Sequence, residues 1–229
     1  NEFITYNGGP SREPVLSSKS GINRFVWNAR HKSLSGVPYA YIEGRFSGHK
    51  AIPGMYSMTL EVGEKVFTSN FEILKNPNFN VSDKDYAEFD KYTDHMEKNF
   101  NIMANYINSN KELIDKLKDL LGDIEDSKIK NDGQILLNKM VSWDQKMMQR
   151  KSLAYDDVEN FPNKFLADYL FILDEIKGDI PNVSEGILKS LESLDKKWDS
   201  LKEEIDNINK NDISNFNNEL WKSGIGALN

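Results

Sequence analysis

Cysteine is absent from this chain of 229 residues, and histidine occurs only three times, as His31, His49 and His95. Without thiols, a disulfide framework and any thiolate zinc site are excluded. The compartment stays open, because many exported proteins also lack cysteine. Long apolar runs are missing too. None approaches the ~18 residues that span a bilayer, which argues against a membrane-embedded chain. The sequence opens Asn1-Glu2-Phe3 with neither Met nor a signal peptide, as a fragment or processed product would.

Positive charge is in deficit, with a formal net charge of −7, but unevenly so. Residues 1–76 hold nine Lys and Arg against six Glu and no Asp, a balance of +3, and the remainder carries −10. Eight of the 14 glycines and five of the seven prolines also precede residue 78. Two kinds of fold are therefore expected, with a seam near Asn76-Pro77-Asn78. An acidic second half disfavours nucleic acid as a partner, because phosphate contacts need clustered positive charge.

The first 76 residues read as strands. Phe3-Ile4-Thr5-Tyr6 is one candidate and residues 23–28 a second, with Phe25 and Trp27 on one face. Residues 55–62 alternate, with Tyr56, Met58, Leu60 and Val62 on one side and Ser57, Thr59 and Glu61 on the other. Gly63-Glu64 then turns the chain into 65–74, where Phe67, Phe71 and Ile73 share a face. Four or five strands in 76 residues fall short of the roughly seven of a β-sandwich. The expectation is an Ig- or fibronectin-like sandwich over 1–76 that lacks a strand. The stretch 37–53 carries Tyr39, Tyr41 and Phe46 among glycines. It reads first as a long connection whose aromatics cover the sandwich end. It reads second as a sugar-stacking or partner-binding surface.

From residue 77 onward the apolar spacing is helical, and an elongated antiparallel bundle is expected. Ser82 with Asp85 forms a capping-box pattern that opens a long stripe from Tyr86 to Ile124, weakening at Asn108-Ser109-Asn110 as if bent there. Asn131-Asp132-Gly133 reads as a break before a helix carrying Leu136, Met140, Trp143 and Met147. Pro162 suits the first turn of a third helix, which Gly178 ends. Ile187, Leu191, Leu194, Trp198, Leu201, Ile205 and Ile208 then recur at steps of four and three, all on one helix face. Asp212 is placed as the cap of a short last helix closed by Gly224.

Catalytic chemistry is not written in these residues. The three histidines share no ligand or triad motif, and no phosphate-binding glycine loop occurs. Residues 126–133 lack the order of a calcium loop. Asp156, Asp157 and Glu159 are read as cap and dipole partners of a following helix. Asn80-Val81-Ser82 and Asn182-Val183-Ser184 fit a glycosylation pattern, yet each Ser also stands where a helix cap belongs. No catalytic residue, metal site or cofactor is assigned.

Two short stretches, Gly21-Ile22-Asn23-Arg24-Phe25-Val26-Trp27 and Pro53-Gly54-Met55-Tyr56, resemble part of a known arrangement. It is the Ig-like or fibronectin-like sandwich that follows β-propellers in secreted bacterial sortilin-like or BNR-repeat "glycosyl hydrolase" proteins. Asn160-Phe161-Pro162-Asn163-Lys164-Phe165, Ala167-Asp168-Tyr169, Phe216-Asn217 with Leu220, and Gly224-Ile225-Gly226 resemble the helical tail of the same proteins. The resemblance runs from about residue 17 to the end. It implies that Trp27 fills a sandwich core, that Pro53-Gly54 turns the chain into the Tyr56 strand, and that Asn160, Pro162 and Asn163 shape the inter-helix connection. It implies a secreted, periplasmic or cell-surface setting and a non-catalytic C-terminal docking module, whose partner is an upstream propeller or another protein. The alternatives are a carbohydrate-binding module using Tyr39, Tyr41 and Phe46, or the tail of a glycoside hydrolase whose active site lies upstream.

Overall fold

The structure, a computed structural model, describes residues 8–228, without the side chain of Val158. The strand expected at Phe3-Ile4-Thr5-Tyr6 lies outside them. Helices dominate. In chain order the elements are β1 (Gly54–Val62), β2 (Lys65–Ile73), α1 (Asp83–Asp123), α2 (Ser127–Met147), α3 (Phe165–Gly178), α4 (Glu185–Asn207) and α5 (Ile213–Lys222).

The expected β-sandwich is not there. Among the described residues the one sheet is the antiparallel pair β1–β2, and the only other pairing is an isolated bridge between Arg30 and Lys50. Residues 23–28 form no strand. Residues 34–46, expected as inter-strand chain, instead run irregularly into the helical core. Leu34, Val37, Ala40, Ile42 and Phe46 are buried in one cluster with Phe89, Phe100 and Met103 of α1 and Leu170 of α3. Helix side chains hold this irregular backbone: Asn101 Oδ1 accepts from the Ser35 N–H (2.7 Å) and the Asn108 side chain donates to the Gly36 carbonyl (3.1 Å). A buried irregular segment needs such partners for its backbone polar groups.

The hairpin follows its alternation. Tyr56 faces Phe71 and Leu60 faces Phe67 in the register, so the two apolar sets share one face. Gly63, at φ +60°, takes the first central position of the two-residue turn, where a positive φ suits glycine.

α1 is a single 41-residue helix, about 60 Å long, without the bend expected at Asn108-Ser109-Asn110. The polar residues there are spent on partners across the core: Asn108 on Gly36, and Asn110 on the Met140 carbonyl at 3.1 Å. Ser82 and Asp85 form the expected capping box. The break after α1 falls at residues 124–126, not at Asn131-Asp132-Gly133. Asp126 starts α2 by accepting from the N–H groups of Lys128 and Ile129. Gly133 is interior to α2 because a Cβ there would come within 2.5 Å of Leu121 and 2.8 Å of Phe216.

Asp157 accepts from the N–H groups of Leu153 and Ala154 and so caps the short 3-10 turn Tyr155–Glu159, not a following helix. Pro162 lies in the connection ahead of α3, which begins three residues later. Ser184 caps α4, and the heptad stripe faces inward, with Leu191, Trp198, Leu201 and Ile205 buried. Asp212 caps nothing. The chain stays helical through a π-type turn, Ile208–Asp212, and the Asp212 carboxylate accepts from Lys139 instead. Gly224, at φ +73°, ends α5: its N–H reaches the Trp221 carbonyl and the Ile225 N–H reaches Leu220, the pairing of a Schellman motif.

Candidate functional site

The surface least accounted for by the chain's own packing is one face of the hairpin. Met58, Leu60, Val62 and Phe67 stand on it 43–59% exposed. The opposite face mixes Ser57, Thr59, Glu61, Thr68, Asn70 and Glu72 with Met55 and Val66, which are themselves 69% and 63% exposed. The first face carries the larger apolar set, with the Tyr56 and Phe71 rings at its base.

Trp27 covers only the base of the apolar face, packing on Tyr56 and Phe71 with ring centroids 6.1 and 6.0 Å away. Its indole N–H donates to the Arg30 carbonyl at 2.8 Å. Trp27 is therefore a lid over two aromatics and not the core of a sandwich. Pro53 directly precedes β1 and Gly54 opens it. The Tyr56 hydroxyl donates to the Ile52 carbonyl, and Lys75 bridges the exit of β2 to the start of α1 through the Val81 carbonyl and Asp83. The hairpin is thus anchored at its base and bare toward its tip.

The proposed aromatic platform does not assemble. Tyr39 is 76% exposed, in a turn after Pro38, whereas Tyr41 and Phe46 are buried at 3% and 4%. Phe46 packs edge-on against Phe100. Only one of the three rings can meet a sugar. Asn160 closes the 3-10 turn through its backbone N–H, and Asn163 borders a shallow groove between α3 and α4. Among the described residues neither side chain makes the backbone ties expected of it.

No family model matches this chain, and no curated protein or solved structure matches it either.

The groove between α3 and α4 contains a single carboxylate, Asp168, whose pKa burial pushes up while Lys197 pulls it back. Acid–base hydrolysis of a glycoside uses a facing pair of carboxyl groups. Across the bundle, His95 meets Asp195 at 2.8 Å, and the Tyr169 hydroxyl donates to the same carboxylate at 3.1 Å. Burial first, and then Asp195, hold the Tyr169 hydroxyl far above its ordinary pKa, so it remains a donor. This seam joins α1, α3 and α4 with no Ser or Thr hydroxyl bonded to His95 among the described residues. No helix among them is long and apolar enough to cross a membrane.

One cluster escaped the sequence reading. His49 is buried, and both its ring nitrogens face carboxylates: Nδ1 meets Glu97 at 2.9 Å and Nε2 meets Asp90 at 3.1 Å. Burial drives the His49 pKa down, but the two carboxylates outweigh it and hold the imidazole above its ordinary value. Asp90 and Glu97 stand seven apart on α1, two helical turns along one face. That spacing was visible in the sequence. The partner was not, because 17 residues of irregular chain separate His31 from His49.

Proposed function

We propose that this chain is a non-catalytic docking module and that the apolar face of β1–β2 receives its partner. The partner we propose is the β-propeller domain of the same parent protein, the class implied by the resemblance of residues 160–165, 167–169, 216–220 and 224–226 to the helical tail of such proteins, since the sandwich that 21–27 and 53–56 resemble is not formed. The observation that carries the reading is the exposure of Met58, Leu60, Val62 and Phe67 together on one face of two strands that, among the described residues, pair only with each other. A lone two-stranded hairpin is at best marginally stable in water, and its outer edges offer N–H and C=O groups for further strands. A partner that covers the face removes both liabilities. The secreted or surface setting rests on the same resemblance, and the glycan-binding alternative is disfavoured with Tyr41 and Phe46 out of reach.

A photo-crosslinking residue in place of Phe67, introduced in the source cells, tests the reading. The expected product is a covalent link to a β-propeller segment, lost when Met58→Lys and Leu60→Lys are added. Those substitutions should move Tm by no more than about 2 °C, because neither side chain enters the core. Crosslinks confined to a second copy of the chain, or to no protein, would refute the docking reading. Turnover of a glycoside or peptide by the purified chain would refute its non-catalytic half.

A further inference from the structure

We propose that His31, His49 and Asp90 form a binding site for a divalent transition-metal ion, with Glu97 as the group that orients His49. One ring nitrogen of each histidine and one oxygen of Asp90 lie within 4.8 Å of one another. The backbone brings the histidines together. Arg30 and Lys50 pair as an antiparallel bridge, so His31 and His49 are the next facing pair, and the His31 N–H donates to the His49 carbonyl at 2.9 Å. The segments approach this closely because residue 48 is glycine. A Cβ at Gly48 would fall 2.4 Å from the His31 carbonyl oxygen. The two imidazoles then stack with centroids 3.9 Å apart and planes 14° from parallel. A ring nitrogen binds a metal in the plane of its own ring, so the exposed His31 ring must turn out of this stack to share an ion with His49.

The geometry around His49 is that of a ligand. Its Nδ1 is held by Glu97 at 2.9 Å, and the same carboxylate accepts from the His49 backbone N–H at 2.7 Å. A carboxylate behind an imidazole fixes its tautomer and raises its basicity, the usual arrangement of a metal-bound histidine. The other nitrogen, Nε2, is paired with Asp90 at 3.1 Å. Two ligands about 2.0–2.1 Å from one tetrahedral zinc are themselves separated by about 3.3 Å, so this pair already has the spacing of a shared ion. His31 is exposed, and rotation of its side chain supplies the third ligand. Two imidazoles and one carboxylate suit zinc and its first-row neighbours better than magnesium or calcium, which prefer all-oxygen shells. Three protein ligands leave a fourth position for water.

Occupied, the site would pin the irregular segment 29–51 to α1 where it leaves the hairpin. The inference is independent of docking, since none of its ligands lies on the hairpin.

Titration of the metal-stripped chain with zinc chloride at pH 7.5, followed by calorimetry and thermal unfolding, tests it. The expected result is one ion per chain, with Tm rising by about 5–10 °C at a hundredfold excess over Kd. His31→Ala, at an exposed position where folding is not at stake, should weaken binding by about 100-fold, and Asp90→Asn should do likewise. Glu97→Gln should weaken it by about 10–100-fold. His95→Ala, on the other histidine–carboxylate pair, should leave it unchanged. Affinity no better than millimolar, or affinity that survives His31→Ala, or loss of binding in His95→Ala, would overturn the assignment and leave the cluster a proton-held bridge.

Discussion

Replacing Lys177 by alanine is expected to cost about 3–5 kcal/mol of folding stability, the loss seen when one partner of a buried charge pair is removed. The Lys177 side chain is 2% exposed and its ammonium sits 3.2 Å from Asp174. It donates to the Arg45 carbonyl at 2.8 Å and to the Ser47 carbonyl at 3.1 Å. Alanine would leave the two carbonyls without their donor and Asp174 with only the more distant, half-exposed Arg45 guanidinium, 3.7 Å away. Chemical denaturation should show a single transition at lower denaturant, because residues 34–46 share the bundle core and cannot detach quietly. A loss below about 1 kcal/mol would mean that the segment is not held as described.

The same lysine gives a pH dependence of definite sign. Burial, the larger effect, lowers the Lys177 pKa from 10.5, while Asp174 pulls it partly back. With the folded value below the unfolded one, the unfolded state binds more protons in the window just under 10.5. Stability contributed at this position therefore rises with pH through that window. Wild type should gain on Lys177→Met as pH climbs from 8 toward 10, and a constant gap would contradict the buried placement.

Trp143→Ala should cost about as much, roughly 3–5 kcal/mol. Trp143 is fully buried on α2 and donates its indole N–H to the Leu201 carbonyl of α4 at 2.8 Å. The variant loses the packing of a fully buried indole and the interhelical hydrogen bond to a carbonyl inside α4. Trp143→Phe separates the two contributions, since it keeps most of the volume and removes only the donor. It should lose about 1–3 kcal/mol. Equal losses in the two variants would mean that packing contributes little at this position.

Much of the helical half was legible because periodicity and caps are local. Ser82 with Asp85, Ser184, the stripe from Ile187 to Ile208 and Gly224 all act where their spacing places them. The hairpin was equally legible, since alternation and Gly63 fix its register. The errors arose where a local pattern lacked the partner it assumed. Residues 23–28 alternate like a strand, yet no strand pairs with them, and Trp27 turns to the hairpin base. Asn131-Asp132-Gly133 has the composition of a break, but Gly133 is small because Leu121 and Phe216 crowd it. Residues 34–46 have no period at all, so their burial could not be read. For the same reason Tyr41 and Phe46 read first as covers of a sandwich end and second as a binding surface, while His31 and His49 read as unrelated. What brings those two histidines face to face is an antiparallel bridge and one glycine, neither of which leaves a recurring mark in sequence.

Amide hydrogen exchange across β1–β2, measured on the chain alone and then with the proposed β-propeller partner, tests the docking account most directly. In the free chain the strand amides beyond Met58 should exchange orders of magnitude faster than those of α1, with the segment around His49 protected. In the bound state the same strand amides should slow to core-like rates. Strand amides as protected as α1 in the free chain, or unchanged by the partner, would contradict it.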